Sequence, residues 1–256
     1  MRVLRVNYGG SAQFARTTAS DVTQLELLDA APWHGGRPTG VRVAASDVKP
    51  LAPLVPTKIV CVGRNYAAHA AELGNAVPAE PLLFLKPPSA LLAPEAAIVL
   101  PAQSERVEHE AEVGIVIGMR LHNATEETAV RAIYGVTCVN DVTARDIQRK
   151  EVQFTRAKSF DTFCPVGPCI ETVFDLDKLE VIGRVNGEVR QQAKVTAMVT
   201  SIPKLVAFIS QVMTLEAGDL IATGTPEGVG PLVAGDRVEV EIPGVGVLRN
   251  CVVGSS

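Results

Sequence analysis

The chain has no Cys-x-x-Cys pair, no cluster of Lys and Arg, no long apolar run and no nucleotide-loop motif. Each absence removes a class of function. The five cysteines, Cys61, Cys138, Cys164, Cys169 and Cys251, are odd in number and widely spaced. That speaks against a disulfide frame or a zinc site and for buried thiols in a reducing cytosol. A formal net charge of −4 without a basic patch excludes nucleic acid as a partner. No apolar stretch approaches the roughly 18–20 residues of a membrane span. Met1–Tyr8 has no signal-peptide h-region, so a soluble cytoplasmic protein is expected, with no membrane partner. Neither G-x-x-x-x-G-K-[ST] nor a G-x-G-x-x-G strand–helix unit occurs, and nucleotide binding is set aside. There is no internal repeat and no low-complexity segment.

What is present is ordinary in bulk: 256 residues, 47% hydrophobic and 20% charged, enough for one large domain with a small appendage. Met1–Tyr8 alternates like a strand, and weak strand signals follow at Gln24–Leu28 and Val41–Val43. The three prolines between Pro50 and Pro56 favour extended chain. They divide a small N-terminal β region with its linker, 1–56, from a main domain, 57–256. In the main domain strands outnumber helices. Asn186-Gly187 between two β-branched runs predicts a two-residue hairpin. Ser201 predicts the start of a helix over 202–213. Val238–Ile242 and Val247–Val253 predict a last hairpin.

The stretch 107–118 organises the rest. It begins charged and ends as a β-branched run, which predicts one strand. Alternation then places Glu108, Glu110 and Glu112 on one face. Three carboxylates in a row repel, and either solvent or a divalent cation must compensate them. Oxygen ligands suit a hard ion such as Mg²⁺ or Mn²⁺. A further carboxylate, Asp141, follows the apolar strand 134–140, where its plainer use is a helix N-cap. His109 falls on the opposite face from Glu110 and reads as structural or solvated.

Other residues complete a constellation. A short strand ending at Gly63 is followed by a predicted helix with Asn65 as N-cap. On it His69 and Glu72 lie three apart, neighbours on one face. A carboxylate beside an imidazole orients it as a general base, although an ordinary surface pair has the same spacing. Lys86 ends an apolar strand. Lys158 lies in a polar break, as either an exposed loop lysine or a charge beside a developing enolate. The glycine-rich loop 224–230 is either a plain turn or a place where the Thr225 hydroxyl and backbone N–H groups meet a carboxylate.

Six motifs carry a resemblance: Gly63–His69, Phe84–Pro87, His109–Glu112, Asn140–Asp146, Ala157–Ser159 and Gly224–Gly230. In this order, over residues 58–253, the chain resembles the fumarylacetoacetate hydrolase family, with a short N-terminal β region like that of bacterial members. The resemblance implies a β-rich α+β fold, a mixed β-roll, and a homodimer. By matching position, Glu110, Glu112 and Asp141 would bind Mg²⁺ or Mn²⁺, and Lys158 would sit beside the bound substrate. His69 and Glu72 match a lid dyad that activates water. Arg64, Lys86, Gln148 and Thr225 match positions lining the substrate pocket. The expected activity is metal-dependent hydrolysis of the C–C bond of a 2,4-dioxo acid, an acylpyruvate such as fumarylpyruvate. The same parts serve an oxaloacetate decarboxylase or a 2-hydroxyhepta-2,4-diene-1,7-dioate isomerase. A non-catalytic organic-acid binding protein would need the carboxylates but not the His69–Glu72 pair.

Overall fold

The computed structural model describes residues 1–18 and 21–255. Its centre is the strand Ala111–Ile117, buried along its whole length. A continuous apolar run of this kind needs cover on both faces, and the fold supplies it. The strand lies inside a twelve-stranded sheet, antiparallel to Ile133–Asn140 on one side and to Leu220–Ala222 on the other. Beyond Leu220–Ala222 come Ile59–Gly63 and the edge strand Leu82–Lys86. In the other direction the sheet passes through Cys164–Glu171 and continues into Arg2–Tyr8, Ser11–Thr18, Asp21–Leu28 and Pro38–Ala44. The N-terminal strands thus extend the same sheet: Arg2 pairs with Glu171 and Val3 with Ile170. Lys49–Leu51, at the predicted linker, pairs with Arg2–Tyr8.

A five-stranded sheet covers one face of the large one, in the order Glu188–Lys194, Glu180–Val185, Arg237–Ile242, Gly246–Gly254, Ala97–Leu100. The main core fills the space between, with Val113, Ile115 and Cys138 from one side and Val181, Val240 and Leu248 from the other. The amphipathic helix Ile202–Val212 adds Leu205, Val206 and Ile209. The sheets come close at Gly183, where a Cβ would stand 2.9 Å from that of Ala111. Only glycine leaves the central strand where it is. The predicted hairpin is present: Asn186 and Gly187 have φ of 54° and 84°, as its turn demands. Among the described residues no helix is long and apolar enough to cross a membrane.

Three expectations change. The stretch 107–118 is two strands. Val107–His109 belongs to a three-stranded sheet with Thr143–Ala144 and Gly230–Pro231, and the chain breaks at Glu110 before Ala111–Ile117 begins. The Asn140 side chain holds that break, accepting the Glu110 N–H at 3.0 Å. Asn65 is no N-cap: the helix is Ala67–Glu72, and Asn65 ties neighbouring segments by donating to Thr223 O at 2.9 Å and accepting from Thr200 N at 2.9 Å. Residues 155–158 are a short helix, Thr155–Lys158, that carries Lys158 inward rather than leaving it on a loop.

Candidate active site

A cavity of about 520 Å³ opens beside the break at Glu110. Glu110, Glu112, Asp141 and Lys158 line it from the central sheet and the helix Thr155–Lys158. Arg64, His69, Gln148 and Thr225 also line it. Glu72 reaches it through His69. Lys86 does not line it and stands behind Asp141.

The repulsion foreseen along the acidic stretch is met by cations that fold in from elsewhere. Among the described residues the three bulkiest fully buried side chains are Arg145, Lys86 and Lys158. Arg145 donates Nε to Glu108 at 2.6 Å and Nη2 to Glu110 in a short contact. Its Nη1 donates to Gln148 Oε1. Lys158 Nζ bridges Glu110 Oε2 and Asp141 Oδ2, each at 2.7 Å. Lys86 Nζ donates to Asp141 Oδ1 and to Val142 O, the latter at 3.1 Å. Burial alone would raise the Glu110 carboxyl, but Lys158 and Arg145 outweigh it and hold the group far below the usual carboxylate range. For Lys158, burial works against the charge, and Asp141 and Glu110 more than restore it. Glu108, placed by alternation on the face of Glu110 and Glu112, is a buried partner of Arg145 and Arg106.

Glu112 is the exception. It accepts one backbone N–H, from Gly224 at 2.8 Å, and among the described residues no side-chain cation touches it. Burial, then the charges of Asp141 and Glu110, push its carboxyl well above the ordinary value. Ligand oxygens of Glu110, Glu112 and Asp141 lie within 4.8 Å of one another, all buried. Three hard oxygen donors around one point, one of them lacking a counter-charge, fit a divalent cation of the Mg²⁺ or Mn²⁺ kind. Such an ion asks for about six oxygens, so protein ligands leave room for substrate or water.

His69 is 4% exposed, and its Nδ1 lies 3.4 Å from Glu72 Oε2. Glu72 Oε1 accepts the Gly228 N–H at 3.0 Å, which ties the helix Ala67–Glu72 to the glycine-rich loop. With Nδ1 turned to Glu72, Nε2 is the nitrogen left for proton transfer.

Two residues without an assigned role from the sequence belong to the site. Arg145 was visible only as part of Asn140–Asp146. Gln191, on Glu188–Lys194, is 1% exposed and makes four hydrogen bonds. Its Oε1 accepts from Ala111 N at 2.9 Å and faces His109 Nδ1 at 3.1 Å. Its Nε2 donates to Thr225 Oγ1 and Pro226 O, both at 2.7 Å. Thr225 Oγ1 in turn donates to Ala111 O at 2.9 Å. His109 is thereby structural, as its side of the strand implied. Nothing in the local sequence marks Gln191, because its partners come from distant segments.

Buried carboxylates converging on one point, on a β-rich fold with a His–Glu pair at the same cavity, define a class of proteins with a candidate hard-cation centre. The chain belongs to the fumarylacetoacetate hydrolase family: the profile described as fumarylacetoacetate (FAA) hydrolase C-terminal matches residues 58–253. Residues 1–53 match the profile Rv2993c-like, N-terminal. The chain is 42% identical over 193 residues to the human oxaloacetate tautomerase FAHD1, mitochondrial, covering 73% of this chain and 87% of that protein. A Mycobacterium smegmatis 5-carboxymethyl-2-hydroxymuconate delta-isomerase structure is 40% identical with a TM-score of 0.92, each chain covered in full (100%). A Mycobacterium marinum 2-hydroxyhepta-2,4-diene-1,7-dioate isomerase structure is 40% identical with a TM-score of 0.91, covering 100% of this chain and 99% of that one. Members of the family are enzymes, tautomerase and isomerases among them.

Proposed function

We propose that the protein is a divalent-metal-dependent enzyme that moves a proton on the carbon chain of a 2-oxo acid, interconverting keto and enol forms or shifting a double bond. One observation carries the reading: the candidate cation site and the buried His69, with Glu72 behind its Nδ1, meet at one cavity. Mg²⁺ or Mn²⁺ held by Glu110, Glu112 and Asp141 would supply Lewis acidity toward the oxygens of a 2-oxo acid. Lys158, held by Glu110 and Asp141, adds a fixed positive charge where enolate charge would develop. His69 Nε2 takes the proton from carbon and returns it, with Glu72 fixing the ring through Nδ1. The relatives named tautomerase and isomerase catalyse proton shifts by their names, which supports this order of preference.

Hydrolysis of an acylpyruvate such as fumarylpyruvate is the second reading. The cavity of about 520 Å³ has room for such a seven-carbon substrate. In that reaction His69 would deprotonate water instead of carbon. The proposal includes a homodimer in the cytosol, which light scattering of the purified protein checks.

The test is a turnover panel with and without Mg²⁺ on wild type and His69→Ala. It contains the enol form of oxaloacetate, 2-hydroxyhepta-2,4-diene-1,7-dioate, fumarylpyruvate and acetylpyruvate. Enol disappearance or double-bond migration that needs both Mg²⁺ and His69 supports the leading reading. Cleavage of an acylpyruvate alone moves the assignment to hydrolysis. Carbon dioxide release from oxaloacetate that survives His69→Ala makes the protein a decarboxylase. Ligand binding without any turnover leaves an organic-acid binding protein.

A further inference from the structure

The loop 224–230 reads from the sequence as either a plain turn or a place where the Thr225 hydroxyl meets a carboxylate, and the hydrogen-bond directions around Thr225 point to a third use. Asp141 N donates to Glu110 O at 2.9 Å. In an antiparallel ladder the next residue, Ala111, opposite Asn140, then turns its N–H and C=O away from that partner strand. On the far side Leu220–Ala222 reaches only to Gly114. No strand meets Ala111 there, and side chains take the strand's place. Gln191 Oε1 accepts the Ala111 N–H, and Thr225 Oγ1 donates to the Ala111 carbonyl.

Every proton in this arrangement follows from the backbone. A peptide N–H can only donate, so the amide atom of Gln191 facing Ala111 N is its oxygen. Its Nε2 therefore spends both protons, on Thr225 Oγ1 and on Pro226 O. A peptide carbonyl can only accept, so the single proton of Thr225 goes to Ala111 O. Thr225 lines the cavity, and all its hydroxyl has left to offer is a lone pair.

We propose that Gln191 is a positioning residue that fixes Thr225 as a hydrogen-bond acceptor. The cavity thereby selects a ligand that brings a donor to Thr225, the hydroxyl of an enol or 2-hydroxy acid, over one that brings a carboxylate or keto oxygen. This rests on the reading of the cavity as the substrate site. It adds to that reading which tautomer the site prefers. Were Thr225 to turn its proton to a ligand, the buried Ala111 carbonyl, between two of the candidate ion ligands, would lose its donor.

The experiment is calorimetry on Mg²⁺-loaded protein with two probes that do not turn over: glycolate, which carries a hydroxyl, and oxalate, which carries only acceptors. Thr225→Val is expected to weaken glycolate about tenfold and leave oxalate unchanged, with Thr225→Ser restoring glycolate. Gln191→Met, which frees the Thr225 rotor, is expected to narrow the preference of glycolate over oxalate while Mg²⁺ affinity without either probe holds. Loss of oxalate in Thr225→Val would mean that Thr225 donates, and the inference falls. It also falls if neither probe is affected, or if both probes and Mg²⁺ weaken together, since that is a structural role only. If wild type with Mg²⁺ binds neither probe while Mg²⁺ itself binds, the reading of the cavity as a substrate site fails first, and this inference with it.

Discussion

The carboxylate side of the cavity and its His69 side are built on opposite plans. Glu110 and Glu112 flank the start of the central strand, Asp141 leaves the adjacent one, and the buried cations Arg145, Lys86 and Lys158 hold Glu110 and Asp141. Each carboxylate oxygen of Glu110 and Asp141 accepts from a buried cation. On the other side His69 rides on a six-residue helix, Ala67–Glu72, and meets Glu72 at 3.4 Å. The Glu72 side chain is one-third exposed (33%), and its other anchor is one backbone N–H. The contrast follows from the tasks. An ion holder gains from being assembled before the ion arrives. On the proposed function the proton carrier must let substrate pass, and the light tether of His69 through Glu72 leaves room for that.

The sharpest way to break the comparison is Arg145→Met. It takes one of two cations from each of the buried carboxylates Glu108 and Glu110, and is expected to cost about 3–5 kcal/mol of stability. Urea unfolding checks this, and an unchanged midpoint would mean that the carboxylate side is not held by its cations. Next is Glu112→Gln. Because no cation pairs directly with Glu112 among the described residues, the amide should bind Mg²⁺ at least about 100-fold more weakly and yet stabilise the metal-free protein by about 0.5–2 kcal/mol. Titration calorimetry and melting in chelator read the two effects, and a drop in metal-free stability would refute the uncompensated charge. The smallest effect belongs to the other side. Glu72→Gln should lower turnover about tenfold, a part of the roughly 10²–10⁴ that a positioned base supplies, with Mg²⁺ affinity and melting unchanged. A shift in either would show the two sides to be mechanically one.

What the sequence disclosed divides along the same physical line. The strand Ala111–Ile117 was legible because an apolar β-branched run states both its conformation and its burial. The hairpin at Asn186-Gly187 was legible because two positive φ angles restrict the residues that fit. The carboxylates could be paired by alternation and by the exit of Asp141 from its strand. The break at Glu110 was not legible. The apolar residues on either side of it, Val107 and Val113 onward, favour one strand, and the interruption is made by Asn140 and Arg145, 30 and 35 residues downstream. The same holds for Gln191, which serves Ala111 from 80 residues away. Local propensity also misread Asn65, whose side chain serves Thr200 and Thr223 instead of the helix that follows. In each case a long-range hydrogen bond overrode a local preference that was sound in itself.

The seam between Arg2–Tyr8 and Cys164–Glu171 carries a consequence for anyone who would trim this protein. A cut after residue 56 looks clean on paper, between two family profiles. In the molecule it would unzip a sheet and strip the partner from Ile170 and Glu171. The bare edge so made would be adhesive toward any other extended chain, including another trimmed copy. The front piece therefore acts as a built-in selvedge, and a shortened version needs a charged or proline-bearing hem sewn in its place.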